Sequence, residues 1–154
     1  INNTRRVIRA IEAAESGDDL SHSKSEELVY DAAVFGLRME RSVLYDRINR
    51  RVDIMLEQGL IEETRRLLEE GVPEMAQSMQ AIGYRQTVLY LKGEWDKATA
   101  VDKIKQATRN FAKRQFTWYK KMPYVKWFNL DAEPNYENVT AEMIKTVVEK
   151  FKIG

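Results

Sequence analysis

The sequence contains no cysteine, only one histidine, and no apolar run long enough to cross a membrane. Without cysteine the chain can form neither disulfides nor thiolate metal sites, which fits a reducing compartment. The single histidine, His22, lies in a polar stretch, and one histidine cannot assemble a zinc site. No signal peptide is visible. We therefore expect a cytoplasmic monomer with no metal site of its own and no membrane partner.

The familiar catalytic signatures are absent as well. There is no GxxxxGK(S/T) phosphate-binding loop, no GxGxxG, no nucleophile elbow and no HExxH motif. Carboxylates are abundant, but no pattern marks one of them as a general base. We therefore expect anion-binding elements without a complete catalytic centre.

The residues that are present predict a mainly α-helical domain with about two strands. The length of 154 residues and the hydrophobic content of 44% suit one ordinary globular domain. Apolar periodicity and helix-ending glycines predict helices over 4–14, 42–58, 61–70, 84–91, 95–121 and 138–151, and strands over 29–37 and 125–130. Residues 75–83 are predicted to be irregular or a single turn.

Two features predict that the chain is a fragment. It begins at Ile1 rather than at methionine. The run at 29–37 is apolar enough to be buried on both faces of a sheet, and two strands make a poor independent sheet. We therefore expect an α/β portion that precedes this chain.

Charge is segregated along the sequence. The stretch Lys103–Lys121 holds seven basic and no acidic residues, and since the whole chain carries +1, the remainder carries −6. Lys105, Arg109 and Lys113 follow one another at i,i+4, where each like-charge pair costs about 0.2–0.5 kcal/mol in an isolated helix. An anionic partner such as RNA phosphate would reverse that cost. The alternative is a solvated helix face.

The same helix is predicted to carry a core-facing stripe that two polar residues interrupt. Its members recur at spacings of three and four: Val101, Ile104, Thr108, Phe111, Gln115 and Trp118. Three aromatic residues lie in the basic part, and one or two of them are expected to stack on an unpaired base: Phe116, Trp118 and Tyr119.

Three further segments predict anion binding more weakly. Arg41 follows the first strand and opens a helix, which is a natural place for a diphosphate; the alternative is a surface arginine paired with Glu40 or Asp46. Gly83 lies between two helices in the segment 78–85, where a glycine lets a backbone approach a ligand; the alternative is an ordinary helix connection. The third segment is the arginine cluster of the first helix, which is also typical of a solvated face: Arg5, Arg6 and Arg9.

Four segments of the chain, taken in order, resemble the C-terminal half of the tRNA dimethylallyltransferase (tRNA isopentenyltransferase) family: NNTRRVIRAIE, RSVLYDRINRRVDIMLEQGLIEE, QAIGYRQ and TRNFAKRQFTWY. The resemblance implies a P-loop-type, ATP-binding-like α/β core with a helical insertion. Residues 1–28 would form the end of the helical insertion and a linker. Residues 29–154 would form the C-terminal part of the core, with the tRNA-binding helices. The implied reaction transfers a dimethylallyl group from dimethylallyl diphosphate to N6 of the adenosine just 3′ of the tRNA anticodon, with Mg²⁺.

The resemblance also implies roles for individual residues. Arg41 matches an arginine that handles the diphosphate. Three segments match regions that contact the tRNA anticodon stem-loop, and their residues are Arg5, Arg6, Arg9, Met79, Gln80, Gly83, Tyr84, Arg85, Thr108, Arg109, Lys113, Arg114 and Gln115. The phosphate loop, the general-base aspartate and the Mg²⁺ ligands of the family have no match here. We therefore expect an inactive fragment of the enzyme; the alternatives are a non-catalytic helical RNA-binding module and a purely structural helical domain.

Overall fold

A computed structural model of the chain describes residues 4–17 and 30–153. Its helices and strands follow in this order: α1 (Thr4–Ser16), β1 (Val34–Met39), α2 (Arg41–Glu57), α3 (Leu60–Glu69), α4 (Tyr84–Leu91), α5 (Lys97–Tyr119), β2 (Val125–Leu130) and α6 (Tyr136–Phe151). A short 3₁₀ turn, Ser78–Gln80, precedes α4. The predicted mainly α fold with two strands is confirmed. The predicted domain boundary near residue 28 lies outside the described residues.

The two strands form a parallel sheet in which Val34 pairs with Val125 and Met39 with Leu130. Since parallel strands need a long crossover, the helices α2 to α5 supply the connection between them. No third strand adjoins this pair among the described residues. One face of the sheet carries Phe35 and Phe128 in an edge-to-face contact, and the other carries Gly36 and Trp127.

The prediction for the first strand is partly wrong. Residues 30–33 were predicted to belong to it, but β1 begins at Val34. Its partner β2 begins at Val125, just after Pro123 ends the turn that follows α5, so earlier residues find no paired backbone there. Leu37 is 51% exposed where no described element covers it, and the neighbours expected to bury this strand were not predicted to lie in this chain.

The helices pack around the antiparallel pair of α2 and α5. Asp53 on α2 lies 2.6 Å from Lys105 on α5, and Asn49 accepts a hydrogen bond of 2.6 Å from Arg109. Later residues of α2 thus meet earlier residues of α5. The buried cluster is formed by one side chain from each of three helices, Val52, Leu60 and Ile104.

Only the first half of the predicted stripe on α5 is buried. Ile104 is in the core, whereas Phe111, Gln115 and Trp118 are exposed. These exposed side chains lie on the second half of α5, where no described element covers them. On α1, Ala13 is buried and Ile11 is exposed, and no other described helix packs along α1.

Candidate functional site

An open groove lies where β1 ends, α2 begins and α5 ends. Its volume is about 1090 Å³, and its apolar lining includes Leu44, Phe116 and Trp127. Five basic residues line the groove and no acidic one does: Arg38, Arg41, Lys113, Lys120 and Lys121. Such a collection of like charges is typical of a site for an anion, and the apolar floor suits a hydrophobic group attached to it.

Arg41 is the first residue of α2 and points to a tyrosine rather than to a carboxylate. Its Nε donates a hydrogen bond of 3.1 Å to the hydroxyl of Tyr45, and its guanidinium carbon lies 5.4 Å from that ring's centroid. The alternative pairing with Glu40 or Asp46 is not found; Asp46 instead pairs with Arg50 at 2.6 Å. Arg41 therefore reaches the groove without a described counter-ion.

The N-terminus of α2 is not itself free to bind an anion. The carboxylate of Glu40 caps it by accepting hydrogen bonds from the Ser42 and Val43 amides and from the Ser42 hydroxyl. The Ser42 hydroxyl, above all, lowers the pKa of Glu40 below its ordinary value. The amides of Ser42 and Val43 therefore already donate to a carboxylate, and an anion here would contact the Arg41 side chain.

Arg109 lies behind the groove rather than in its lining. It donates to Asn49, and its guanidinium carbon is 6.0 Å from the centroid of the Tyr45 ring. Lys105, one turn earlier, is only 20% exposed and is neutralised by Asp53 at 2.6 Å. The ion pair of Lys105 thus reduces the repulsion predicted among Lys105, Arg109 and Lys113. The basic residues of α5 that have no described carboxylate partner are concentrated toward the end of the helix.

A second basic surface runs along the outer side of α5. It is formed by Asn110, Lys113, Arg114, Thr117, Trp118 and Lys121, which recur at helical spacing, and no acidic residue belongs to it. Trp118 is 63% exposed. Phe116, in contrast, packs edge-to-face on Trp127 at 5.6 Å inside the groove. Of the three aromatic residues singled out in the sequence, Trp118 is therefore the one most available to a base.

The predicted RNA-contacting segment before α4 is largely structural in this chain. The Met79 side chain is 1% exposed and belongs to the core, so it cannot reach an RNA outside the protein. Gly83 is also buried, and a Cβ there would lie 3.7 Å from Leu60; its φ of +104° explains the glycine by the turn into α4, not by access for a ligand. Neither residue lines the groove.

Two other residues of that segment are held by hydrogen bonds to neighbouring elements. The Tyr84 hydroxyl donates to Glu63 at 2.9 Å, and this bond raises the pKa of Tyr84. The Gln80 amide donates to the Glu74 carbonyl oxygen at 2.8 Å. Arg85 is exposed and remains the member of the segment best placed to contact a solvent-borne anion.

The remaining predicted site residues are dispersed. Thr108 donates to the Ile104 carbonyl oxygen at 2.8 Å, which satisfies its hydroxyl within α5. Gln115 lines the groove, and Arg9 is exposed on α1. The side chains of Arg5 and Arg6 lie outside the described part of the structure. The structure thus gathers Arg41, Lys113 and Gln115 at one groove, and the other predicted site residues whose side chains are described do not line it.

The described residues contain no group of three or more histidine, aspartate or glutamate side chains arranged to hold a metal ion. The lining of the groove also contains no carboxylate, and we assign no step of a reaction to a metal held by these residues. In the same ranges, no helix combines the length and the apolar character that crossing a membrane would require.

Comparison with known proteins places these features in a family. The model of a family described as IPP transferase matches residues 1–122. The chain belongs to the IPP transferase family. Among curated relatives, the tRNA dimethylallyltransferase of Anoxybacillus flavithermus is 41% identical over 97% of this chain. That of Bacillus subtilis is 41% identical over 99%. The alignments cover 49% of each relative, so the chain spans about half the length of the curated relatives it matches.

Solved structures of the IPP transferase family show the same fold. The full-length tRNA isopentenylpyrophosphate transferase of Bacillus halodurans matches with a TM-score of 0.75 and 39% identity, covering 98% of this chain and 46% of that one. The tRNA delta(2)-isopentenylpyrophosphate transferase of Staphylococcus epidermidis matches with a TM-score of 0.68 and 42% identity, covering 94% and 50%. The resemblance stated from the four sequence segments is confirmed.

Several groove residues were not predicted from the sequence. Tyr45 and Trp127 contribute aromatic surface, and Arg38 donates to Asn129 across the sheet. A signal for Tyr45 was available, since it follows Arg41 by four residues on a helix. Gly36, an isolated glycine in a strand, also signalled a close approach of another group.

Gly36 offers a test of the groove's geometry. A Cβ at this position would lie 2.6 Å from Cε3 of the Trp127 ring. We expect Gly36→Ala to displace that ring and to lower the free energy of unfolding by about 1–3 kcal/mol, the usual cost of overpacking. Urea denaturation followed by tryptophan fluorescence measures both effects. Gly93→Ala is a control for adding a methyl group, since a Cβ there meets nothing within 4 Å, although its φ of +75° carries a strain of its own.

Proposed function

We propose that this chain is the part of a tRNA dimethylallyltransferase that contacts the diphosphate of the prenyl donor and the tRNA. The observation that carries the proposal is the groove, which combines an apolar floor with five basic residues and no acidic one. Dimethylallyl diphosphate has the matching chemistry, a short hydrocarbon joined to a strongly anionic group. Membership of the IPP transferase family supports the same assignment.

In the proposed reaction, the adenosine N6 attacks the carbon that bears the diphosphate. A C–N bond forms, the C–O bond breaks, and the proton leaves N6 for a base that this chain does not supply. Negative charge develops on the departing diphosphate, where Arg41 and Lys113 of the groove lining would stabilise it. The target base must leave the anticodon stack to present its amino group.

The chain alone is proposed to be inactive. No P-loop motif occurs in its sequence, and it spans about half the length of its curated relatives. We use "complete enzyme" for this chain joined to the rest of a family sequence, which we propose to contain the phosphate loop, the general base and the ligands of Mg²⁺. The proposed setting of the reaction is the cytoplasm, where tRNA is found.

The outer surface of α5 favours a second candidate function, a non-catalytic RNA-binding module. Trp118 and its basic neighbours lie on a single helix and need no other part of the protein. Binding of anticodon stem-loop RNA separates the two. Binding by this chain alone, as tight as that of the complete enzyme, favours the module. Weak binding that becomes tight only in the complete enzyme favours the prenyltransferase.

The RNA-binding surface also predicts a dependence on salt. Arg114 belongs to the outer basic surface and makes no described ion pair, its guanidinium lying 5.9 Å from the Phe111 ring centroid. We expect Arg114→Gln to reduce the slope of log affinity against log salt by about 0.7, the value for one phosphate contact to single-stranded nucleic acid. Arg66→Gln is the matched control, because Arg66 pairs with Glu70 at 3.8 Å on α3. Affinity independent of salt would instead support a purely structural domain.

A further inference from the structure

Tyr45 lies between two arginines to which different ligands were assigned. Arg41 donates to its hydroxyl at 3.1 Å, and the guanidinium carbons of Arg41 and Arg109 lie 5.4 Å and 6.0 Å from its ring centroid. Arg41 comes from the same helix, one turn earlier, and Arg109 from α5. One half-buried side chain thus contacts a residue of the groove and a residue behind it.

Neither arginine is neutralised by a carboxylate among the described residues. The acidic residues nearest along α2 are engaged elsewhere, since Glu40 caps the helix and Asp46 pairs with Arg50. Arg109 donates to Asn49, which is an uncharged amide. Both guanidinium groups therefore contact uncharged partners and have no described counter-ion.

Holding an arginine in place changes what it can bind. A free arginine loses rotamer freedom when it contacts an anion, and that loss weakens binding. A ring face and a hydroxyl restrict the guanidinium beforehand without neutralising it. Tyr45 supplies both the ring and the hydroxyl to Arg41. It supplies only the ring to Arg109.

We propose that Tyr45 is a positioning residue that orients Arg41 toward the diphosphate and Arg109 toward an RNA phosphate. The inference rests on the proposed function and adds to it a residue to which no role has been assigned. The proposed effects on Arg41 and on Arg109 depend on different parts of the Tyr45 side chain. The hydroxyl contacts Arg41, whereas the ring contacts both arginines.

Two substitutions separate these parts in the complete enzyme. Tyr45→Phe keeps the ring and removes the hydroxyl, so we expect the Kd of inorganic pyrophosphate to rise about threefold to tenfold, as for the net loss of one typical hydrogen bond. The Kd of anticodon stem-loop RNA should stay within twofold. Tyr45→Leu removes the ring as well, and both Kd values should rise at least threefold. Isothermal titration calorimetry measures the first, and fluorescence anisotropy the second.

Tyr136→Phe is the matched control, because the Tyr136 hydroxyl also accepts a hydrogen bond from an arginine of α2, Arg47, at 3.5 Å, and Tyr136 is not in the groove lining. It should leave both Kd values within twofold. Unfolding midpoints in urea establish that each variant is folded at the temperature of the titrations. If Tyr45→Leu does not fold, Tyr45→Phe still decides the hydroxyl part of the proposal.

The outcomes distinguish this inference from the proposed function. If Tyr45→Phe leaves pyrophosphate binding unchanged while Arg41→Ala weakens it, the positioning role is overturned and the groove assignment stands. If Tyr45→Leu changes pyrophosphate binding and not RNA binding, the part that concerns Arg109 is overturned. If neither Arg41→Ala nor Tyr45→Phe changes pyrophosphate binding, the proposed function fails as well.

Discussion

Replacing Arg41 by alanine is expected to lower the kcat/KM of the complete enzyme by about 10²–10³, the usual effect of removing one preorganised donor from a developing negative charge. The reason is that Arg41 lies in the groove lining with no described carboxylate to neutralise it. The Kd of pyrophosphate should rise, whereas the Kd of anticodon stem-loop RNA should stay within twofold. Steady-state kinetics at saturating tRNA and calorimetric titration with pyrophosphate provide the two measurements.

The control for Arg41 is on the same helix. Arg47 is exposed, contacts the Tyr136 hydroxyl at 3.5 Å and is outside the groove lining, so Arg47→Ala should leave kcat/KM within twofold. Arg41→Lys is expected to fall between wild type and alanine, because lysine keeps the charge but not the Nε donor that contacts Tyr45. Wild-type kinetics and pyrophosphate affinity in Arg41→Ala would refute the diphosphate assignment.

Replacing Met79 by alanine is expected to destabilise the folded chain by about 2–5 kcal/mol, the range for truncating a large apolar side chain in a core. Met79 is among the largest fully buried side chains, at 1% exposure, and its 3₁₀ turn packs against α4. Equilibrium denaturation of the chain in urea measures the loss. At temperatures where the variant remains folded, its affinity for stem-loop RNA should equal that of wild type.

Met75 supplies the comparison. It is the same residue type four positions earlier and is 81% exposed. Met75→Ala should change the free energy of unfolding by no more than about 0.5 kcal/mol, as for most surface substitutions. If Met79→Ala instead cost as little as Met75→Ala and weakened RNA binding, Met79 would belong to the RNA contact that the resemblance implied.

Local patterns were enough to predict most secondary structure. The bounds of α4 and β2 are those predicted, and the other five helices differ from prediction by at most two residues at either end. Residues that end helices explain this agreement. Gly59 lies just after α2, Gly93 just after α4, and Pro123 a few residues after α5. These signals act over a few residues and do not depend on the rest of the fold.

Burial could not be predicted in the same way. Phe111 and Trp118 have the spacing of core residues, yet they are exposed because no described element covers that part of α5. The segment around Met79 showed the opposite error, since a match to a ligand-contacting segment did not reveal that this side chain faces the core. Exposure depends on where neighbouring elements end, and periodicity within one element carries no information about that.

By itself, the sequence determined the helical class, the family resemblance and the concentration of positive charge between Lys103 and Lys121. The helical class and the charge concentration follow from composition and from spacing along single helices, whereas the resemblance rests on four sequence segments taken in order. Only the tertiary structure decided which charges remain unpaired: Asp53 neutralises Lys105, Glu40 occupies the amides of α2, and Arg41 and Arg109 meet at Tyr45. The physical reason is that pairing a charge requires a partner within about 4 Å, and across separate helices only packing brings such partners together.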